Sequence, residues 1–154
     1  MKIQQLATVL PLPSVSTVVV DDEMNSYLFT QRQEKHYYMP GHYCLPGGMI
    51  EYGETIQQAA MREVREEIGE GNYSYVGQIT TVSAVDEARG HWICVFNLAI
   101  RHDKTLPINP EPTKQKGFVW RPLRWEMPTP HLFGCPAALH GARLIIQRIK
   151  NIGN

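Results

Sequence analysis

The sequence predicts an α/β or α+β sandwich in which helices pack against a mixed β-sheet. Strand-like segments surround one strongly amphipathic helical segment, and a second helical segment closes the chain, so the order is strands, helix, strands, helix. With 154 residues, of which 43% are hydrophobic and 19% charged, the chain has the composition of a globular protein with a core. We expect residues 1–154 to form a single domain.

Strand patterns begin with residues 16–20 (STVVV), which end at an acidic turn, and residues 26–32 (SYLFTQR) return as a hairpin partner. Residues 33–42 are polar and aromatic with a Pro-Gly pair, which favours a loop. The later predicted strands are residues 43–45, 73–84, 91–101 and 117–121. Proline-containing loops are expected at residues 104–116 and 127–135.

The clearest helix covers residues 55–68. Thr55 and Gln58 have the spacing of a capping box, and Gly69 supplies the C-terminal stop. One stripe of this helix is apolar and must face the core; it contains Ile56, Ala60, Val64 and Ile68. The closing helix is expected at residues 137–149, with Leu144, Ile145 and Ile149 on its buried side.

Charge and cysteine content exclude several classes of protein. Fifteen basic and fifteen acidic residues balance, so a general nucleic-acid-binding surface is not indicated. Three widely spaced cysteines make neither a disulfide framework nor a CxxC metal site and fit a reducing, cytoplasmic setting. The first seventeen residues have no signal-peptide layout, and no stretch approaches 18 apolar residues, so we expect no membrane association.

The predicted helix carries three acids where a purely solvated face is not expected. Glu63, Glu66 and Glu67 stand at i, i+3 and i+4, so their carboxylates converge and repel by roughly 1 kcal/mol per pair in water. Glu67 also projects onto the edge of the apolar stripe. One interpretation is an acidic surface paired with Arg62 and Arg65, and the other is a site for a hard divalent cation such as Mg²⁺ or Mn²⁺.

The segment before this helix supports the cation interpretation. Leu45-Pro46-Gly47-Gly48 joins a strand to the loop that ends at the helix N-terminus. Two glycines allow the backbone to approach a ligand closely, and the carbonyl oxygen of Gly47 can act as a neutral ligand. Taken alone, a Gly-Gly pair indicates only a turn.

The whole segment from Gly48 to Glu70 resembles the Nudix box, Gly-x5-Glu-x7-Arg-Glu-U-x-Glu-Glu-x-Gly-U, in which U is aliphatic. The matching residues are Gly48, Glu54, Arg62, Glu63, Glu66, Glu67 and Gly69. The final aliphatic position is instead occupied by Glu70, beyond the predicted end of the helix. The chain therefore resembles the Nudix hydrolases, and the box covers 23 of its 154 residues.

The resemblance implies an α/β/α sandwich with a mixed sheet and hydrolysis of a nucleoside diphosphate linked to another moiety. It implies that Mg²⁺, with Mn²⁺ as a substitute, is held by Glu63, Glu66, Glu67 and the carbonyl of Gly47. Arg62 and Glu54 would orient these carboxylates. Hydrolysis also needs a base to accept a proton from water. Glu66 and Glu67 are the candidates. Glu87 and Glu111 are alternatives on loops, although the first interpretation of each is a surface acid.

The segments 91–96, 109–114, 117–120 and 132–133 resemble the MutT-like branch, whose members cleave purine nucleoside triphosphates, some of them oxidised, to monophosphate and pyrophosphate. Met49 and Cys94 occupy substrate-contact positions where those relatives often carry His and Thr. The alternatives are an ADP-ribose or nucleotide-sugar pyrophosphatase and a nucleotide-binding regulatory module without turnover. A homodimer is compatible with the resemblance alone.

Other substrate contacts are predicted outside the box. Arg32 and either Lys114 or Lys116 are candidates to hold phosphate oxygens. The base-stacking candidates are Leu132, Phe133 and Trp120, although Trp120 is equally interpretable as a core residue. His91 is either a pocket donor or a structural residue at a strand start. His36 and His42 show no metal-ligand spacing, and no role is assigned to them.

Overall fold

The computed structural model describes residues 10–86 and 90–153, which form seven strands and two helices. The elements are β1 (Leu12–Asp21), β2 (Ser26–Arg32), β3 (Tyr43–Cys44), β4 (Gly47–Met49), α1 (Ile56–Ile68), β5 (Tyr73–Asp86), β6 (Gly90–Arg101), β7 (Gln115–Pro122) and α2 (Cys135–Ile152).

All seven strands belong to one mixed sheet with β1 near its centre. β1 runs parallel to β6 along its whole length, and β6 pairs antiparallel with β5. On its other side, β1 is antiparallel to β4 at residues 14–16 and to β2 at residues 19 and 20. β2 then pairs with β3 and β7. The sheet therefore divides beside β1, with β4 on one arm and β2 on the other.

Each face of the sheet is covered by one helix. Side chains of β1 alternate between the two faces, so neighbouring residues of this strand pack against different helices. Val18 packs in one buried cluster with Leu139 of α2, whereas Val19 packs in another with Val64 and Ile68 of α1. The architecture is an α/β/α sandwich with a mixed sheet, which confirms the predicted fold class.

The N-terminus of α1 forms as its local sequence predicts. Thr55 Oγ1 accepts a hydrogen bond from the Gln58 amide at 3.2 Å, and Gln58 Oε1 accepts one from the Thr55 amide at 2.8 Å. At the other end, Gly69 has a φ of +102° and its amide donates to Arg65 O at 2.9 Å. Of the predicted stripe, Ala60, Val64 and Ile68 are fully buried and Ile56 is half-buried.

The Gly47-Gly48 pair, which taken alone indicates a turn, belongs to a strand. Gly47 and Gly48 lie in β4 and pair with Ser16 and Val15 of β1. The pairing depends on β1, more than thirty residues earlier in the chain, so no local pattern indicates it. β2 matches its predicted bounds, and β1, β5, β6 and β7 are each longer than predicted.

The buried face of α2 also differs from the prediction, because Leu144 is 48% exposed and Ile145 and Ile149 are only half-buried. The face against the sheet contains Cys135, Ala138, Leu139, Ala142 and Ile146. Two alanines on this face let the helix lie close to the sheet, and Leu144 lies on another face of the helix.

The three cysteines are buried and unpaired. Within the described ranges, neither helix is long and apolar enough to cross a membrane. The alternative base Glu87 and the first nine residues of the N-terminal segment lie outside the described residues.

Candidate active site

Arg62 is the centre of a charged network at the junction of α1 and β4. Its Nε and Nη2 donate to the two carboxylate oxygens of Glu54 at 2.7 and 3.0 Å, a bidentate pair. Its Nη1 donates to Glu63 at 2.7 Å and to Glu66 at 3.2 Å. Nη2 also donates to the carbonyl oxygen of Met49 at 2.9 Å. Arg62 therefore joins the helix, the β4 strand and the loop between them.

Glu54 is held by the turn that precedes α1. The Glu51 amide donates to Glu54 Oε2 at 3.0 Å, and the Glu54 amide donates to Glu51 O at 3.1 Å. The hydrogen bonds from Arg62, followed by the one from the Glu51 amide, keep the pKa of Glu54 below its ordinary value. Glu54 is thus an ionised anchor that fixes the guanidinium of Arg62.

Glu67 is a buried carboxylate that reaches back to β4. Its Oε2 accepts a hydrogen bond from the amide of Gly47 at 2.9 Å. Burial raises the pKa of Glu67 to about 8, and the charges of Glu63 and Glu111 add to the effect, whereas the Gly47 bond and Arg32 oppose it. This side chain is therefore costly to ionise until a positive charge is placed beside it.

Glu63 occupies space that only a glycine at position 48 leaves open. A Cβ built on Gly48 would lie 2.3 Å from Glu63 Oε1. Burial raises the pKa of Glu63, and its bond to Arg62 opposes the shift. Glu66 differs from these two acids because its side chain is 55% exposed.

A cavity of about 430 Å³ opens where the sheet divides between β4 and β2. Glu63 and Glu67 lie in its wall, as do the cationic side chains of Arg32 and Lys114. Other parts of the wall are apolar and include Met49, Trp92, Cys94, Phe96, Leu132 and Phe133. A cavity with acidic, cationic and aromatic walls suits a ligand with phosphates and a ring system.

The acids of the site have the donor chemistry that a hard divalent cation prefers, although they do not form a ready cage. Within residues 10–86 and 90–153, no three His, Cys, Asp or Glu side chains are arranged as a metal cluster. One oxygen of Glu63 is bonded to Arg62 and one oxygen of Glu67 to the Gly47 amide. Burial raises the pKa of both acids, so their ionised forms are costly without a nearby cation. All the donors are oxygens, so the residues fit Mg²⁺ or Mn²⁺.

Comparison with known proteins identifies the family. The family model described as the NUDIX domain matches residues 10–132, which is most of the chain. The chain belongs to the Nudix family. Nudix family members are pyrophosphohydrolases, and the network of Arg62 with Glu54, Glu63 and Glu66 lies inside the matched region.

Curated Nudix relatives match over short segments. The chain is 35% identical over 57 residues to an ADP-ribose pyrophosphatase from Methanocaldococcus jannaschii, which is 37% of this chain and 32% of that protein. It is 42% identical over 45 residues to the nucleoside triphosphatase NudI from Escherichia coli O139:H28, which is 29% of this chain and 32% of that protein. The matches thus span about a third of the length of these relatives.

Solved Nudix structures match over nearly the whole chain. A MutT Nudix hydrolase from Burkholderia pseudomallei is 25% identical with a TM-score of 0.70, covering 86% of this chain and 98% of that one. The Nudix domain of Shewanella oneidensis NrtR, solved with ADP ribose, is 21% identical with a TM-score of 0.64, covering 95% and 99%. The second likeness shows the fold alone.

The structure gathers most of the residues that the sequence singles out. The sequence-predicted candidates that line the cavity are Arg32, Gly47, Met49, Glu63, Glu67, Cys94, Lys114, Leu132 and Phe133. Arg62 and Glu54 lie outside its lining, and Glu66 lies on the exposed side of Arg62. Their roles stay predictions.

Several candidates lie elsewhere. His91 is not part of the cavity wall, and its Nε2 is 2.8 Å from Ser83 Oγ. Of the two candidate lysines, Lys114 lines the cavity. Lys116 is not part of the cavity wall and pairs with Glu34 at 2.6 Å. Trp120 packs against the cluster beneath α1, as its core interpretation predicts. Glu111 has one oxygen 2.5 Å from Lys114 and the other buried without a hydrogen-bond partner among the described residues.

Sequence reasoning missed the aromatic part of the cavity wall that comes from residues 33–42. His36, Tyr37 and Tyr38 line the cavity, and the Tyr38 ring lies 5.7 Å from that of Trp92. The available signal is the run of three ring-bearing residues in an otherwise polar loop, which is unusual for a segment exposed to solvent.

Proposed function

We propose that this chain is a divalent-cation-dependent nucleotide pyrophosphohydrolase that cleaves a nucleoside diphosphate linked to another group. The preferred substrate in this proposal is a purine (d)NTP, normal or oxidised, with a nucleoside monophosphate and pyrophosphate as products. The observation that carries the proposal is the placement of the half-buried Glu63 and Glu67 beside the cationic Arg32 and Lys114 in one cavity with an apolar wall.

In this proposal, Glu63, Glu66, Glu67 and the Gly47 carbonyl hold the cation. A bound divalent cation supplies charge neutralisation at the phosphate oxygens and lowers the pKa of a water molecule. Arg62 keeps Glu63 and Glu66 pointing to the site, and Glu54 keeps Arg62 in place. Arg32 and Lys114 hold phosphate oxygens, and the apolar wall with Leu132 and Phe133 receives the base.

The chemical step is the attack of water on phosphorus. A bond forms between the water oxygen and phosphorus while the bond from phosphorus to the leaving phosphate oxygen breaks. The proton of the water passes to a carboxylate, for which Glu66 and Glu67 are the candidates. Glu111 is the alternative, because its unpartnered oxygen is buried and its charge acts on both Glu63 and Glu67.

The second candidate function is hydrolysis of ADP-ribose or a nucleotide sugar. It is favoured by the relative from M. jannaschii, which is named an ADP-ribose pyrophosphatase. The first candidate is favoured by the NudI relatives, which are named nucleoside triphosphatases, and by the two cavity cations. We also propose that the protein is cytoplasmic and binds no nucleic acid polymer, since its three thiols are unpaired and its net charge is zero.

A product-release screen tests this proposal. The panel contains the (d)NTPs, 8-oxo-dGTP, ADP-ribose, nucleotide sugars and diadenosine polyphosphates, each with Mg²⁺ or with EDTA. We expect pyrophosphate from a triphosphate with Mg²⁺ and none with EDTA. Hydrolysis of ADP-ribose alone would select the second candidate. Binding of nucleotides with no product from any of them would contradict both and identify a non-catalytic binding module.

A further inference from the structure

A histidine that no catalytic pattern includes lies in the cavity wall beside the two cations. His36 lines the cavity together with Arg32 and Lys114. Its ring stacks on that of Tyr37, with centroids 4.8 Å apart. Three side chains with nitrogen donors therefore share one wall of the cavity.

Local contacts fix the positions of Arg32 and His36. Arg32 Nη1 donates to the carbonyl oxygen of Tyr38 at 2.7 Å and lies 3.5 Å from His36 Nδ1, while its guanidinium lies 5.2 Å from the centre of the Tyr38 ring. His36 Nδ1 is 2.8 Å from the same carbonyl and 3.1 Å from the Tyr38 amide. His36 Nδ1 is thus engaged with the backbone of Tyr38.

Gln33 ties this loop to the loop that carries Lys114. Its backbone amide donates to Lys114 O at 2.8 Å, and its side-chain amide donates to the carbonyl oxygens of Pro112 at 2.9 Å and Gln115 at 3.3 Å. Because these bonds hold the two loops together, Lys114 and His36 keep their positions relative to each other. The donor group is therefore arranged before a ligand arrives.

Electrostatic interactions connect Arg32, Lys114 and His36 with the acids of the cavity. Glu67 interacts with both Arg32 and Lys114. His36 interacts with Arg32, Lys114 and Glu111, and burial together with the two cations keeps its pKa below the ordinary value. Arg32 therefore lies beside His36, with Nη1 3.5 Å from Nδ1, and lines the same cavity as Glu63, Glu67 and Lys114.

We propose that Arg32, Lys114 and His36 form a subsite for the terminal phosphates of a nucleoside triphosphate, and that His36 distinguishes a triphosphate from a diphosphate joined to a sugar. The inference rests on the proposed function, because it takes the acidic pair as the reacting end. A chain of phosphates that extends from Glu63 and Glu67 passes Arg32 and Lys114 and reaches His36. The ribose of ADP-ribose has no anionic group to place there.

The imidazole suits this role because its two nitrogens do separate work. Because Nδ1 accepts the hydrogen bond from the Tyr38 amide, the neutral ring carries its proton on Nε2 and presents Nε2–H to a phosphate oxygen. A sugar offers no comparable charge and gains little from His36.

Substitutions that separate the two nitrogens test the proposal. His36→Asn retains a polar atom near Nδ1 for Tyr38 and removes the Nε2 donor, whereas His36→Gln retains a neutral donor near Nε2. His42→Asn is the matched control, because His42 is in the same loop, bonds Pro40 O at 3.0 Å and is not part of the cavity wall. Circular dichroism and the Tm of each variant report whether the fold is retained.

The measurement is calorimetric binding of inorganic tripolyphosphate and of ADP-ribose in EDTA, so that protein groups alone are compared. We expect H36N to weaken tripolyphosphate binding roughly tenfold to a hundredfold, H36Q to weaken it less, and H42N to leave it unchanged. ADP-ribose binding should change less than twofold in all three. With Mg²⁺, H36N should raise the KM for the triphosphate and change kcat little.

Three results would overturn the inference: no binding of tripolyphosphate by the wild type, equal losses for tripolyphosphate and ADP-ribose, or H36Q losing more than H36N. The last result would indicate that His36 affects binding through its contact with Tyr38, by holding the loop in place, and not through a hydrogen bond from Nε2 to phosphate. If tripolyphosphate binds with the expected dependence on His36 and no nucleotide is hydrolysed, the inference stands and the proposed function fails.

Discussion

Arg62 connects the parts of the site because each of its five N–H groups has an acceptor. Two acceptors are on Glu54, one each is on Glu63 and Glu66, and the fifth is the carbonyl oxygen of Met49. A lysine has three donors and no planar fork, so it cannot reproduce this pattern. Glu66 lies four positions after Arg62, the spacing that brings side chains together on one face of a helix. The guanidinium also reaches Glu63, the next residue in the chain.

Glu67 is the residue at which the demands of stability and of the proposed reaction oppose each other. Its pKa is raised from 4.5 to about 8 in the folded protein, so without a cation the folded state binds a proton that the unfolded state has released. The free energy of unfolding therefore falls as pH rises from about 4.5 towards 8. A neutral side chain of the same shape avoids this loss.

Glu67→Gln should make the cation-free protein more stable and nearly abolish activity. The amide oxygen of Gln can still accept the Gly47 hydrogen bond, while the buried charge is gone. In EDTA, we expect its Tm to exceed that of the wild type by several degrees at pH 8 and by much less at pH 5. With Mg²⁺, turnover should fall by orders of magnitude. Near-wild-type turnover would show that Glu67 is not required for catalysis.

The contact between two site residues could be predicted from the sequence where their spacing along one helix places their side chains on the same face. Glu63, Glu66, Glu67 and Arg62 are of this kind. His36 is not, because it reaches the cavity through contacts of an irregular loop with Arg32 and through the Gln33 bonds to a loop some eighty residues later. His91 was ambiguous for the opposite reason: its position at a strand start leaves the direction of its ring open, and the ring turns to Ser83.

At the scale of elements, β4 sets the distance between the backbone and the helix acids. Its pairing with β1 places Gly47 and Gly48 directly against α1, where one amide binds Glu67 and the missing side chain of the other makes room for Glu63. The helix that carries the acids was predictable with its caps, since capping is local. The strand was not, because three residues with two glycines have no strand propensity of their own and are ordered by β1.

Gly48→Ala should lower activity with little effect on stability, whereas Gly47→Ala should lower the stability of the fold. A Cβ on Gly48 meets the flexible end of Glu63, which can move aside, so we expect a folded protein with a Tm close to that of the wild type and a large loss of activity. A Cβ on Gly47 would lie 2.3 Å from the carbonyl oxygen of Val15, which is backbone, so we expect a marked drop in Tm. Measurement of Tm and turnover for both variants checks this contrast. An active G48A protein would mean that the position of Glu63 is not critical.

At the scale of the whole molecule, the fold brings together charges that the sequence keeps apart. Residues 1–100 contain twelve acids and six bases, whereas residues 101–154 contain three acids and nine bases. Lys114, from the basic part, lines the same cavity as Glu63 and Glu67, from the acidic part. The zero net charge therefore hides a local separation of charge. In the folded protein, a cationic part of the cavity wall lies beside an acidic part, and this arrangement suits a polyanion that is bound together with a divalent cation.

Because the acidic wall forms only when β4, α1 and β1 are assembled, a cation that binds it must stabilise the fold as a whole. A ligand at a hundred times its Kd adds about 2.7 kcal/mol to the free energy of unfolding, which is several degrees in Tm for a chain of this size. We expect Mg²⁺ to raise the Tm of the wild type by that order, relative to NaCl of equal ionic strength. Glu63→Gln and Glu67→Gln should remove most of this increase.

The matched control is Glu70→Gln, since Glu70 belongs to the same acidic segment, yet its side chain is 86% exposed and faces Arg65 at 3.8 Å. This variant should keep the full Mg²⁺ increase, because it leaves the buried acids intact. An equal increase in all four proteins would place the cation away from Glu63 and Glu67, and no increase in any of them would remove the metal site from the proposed function. Only the loss in E63Q and E67Q, with retention in E70Q, ties the cation to the buried pair.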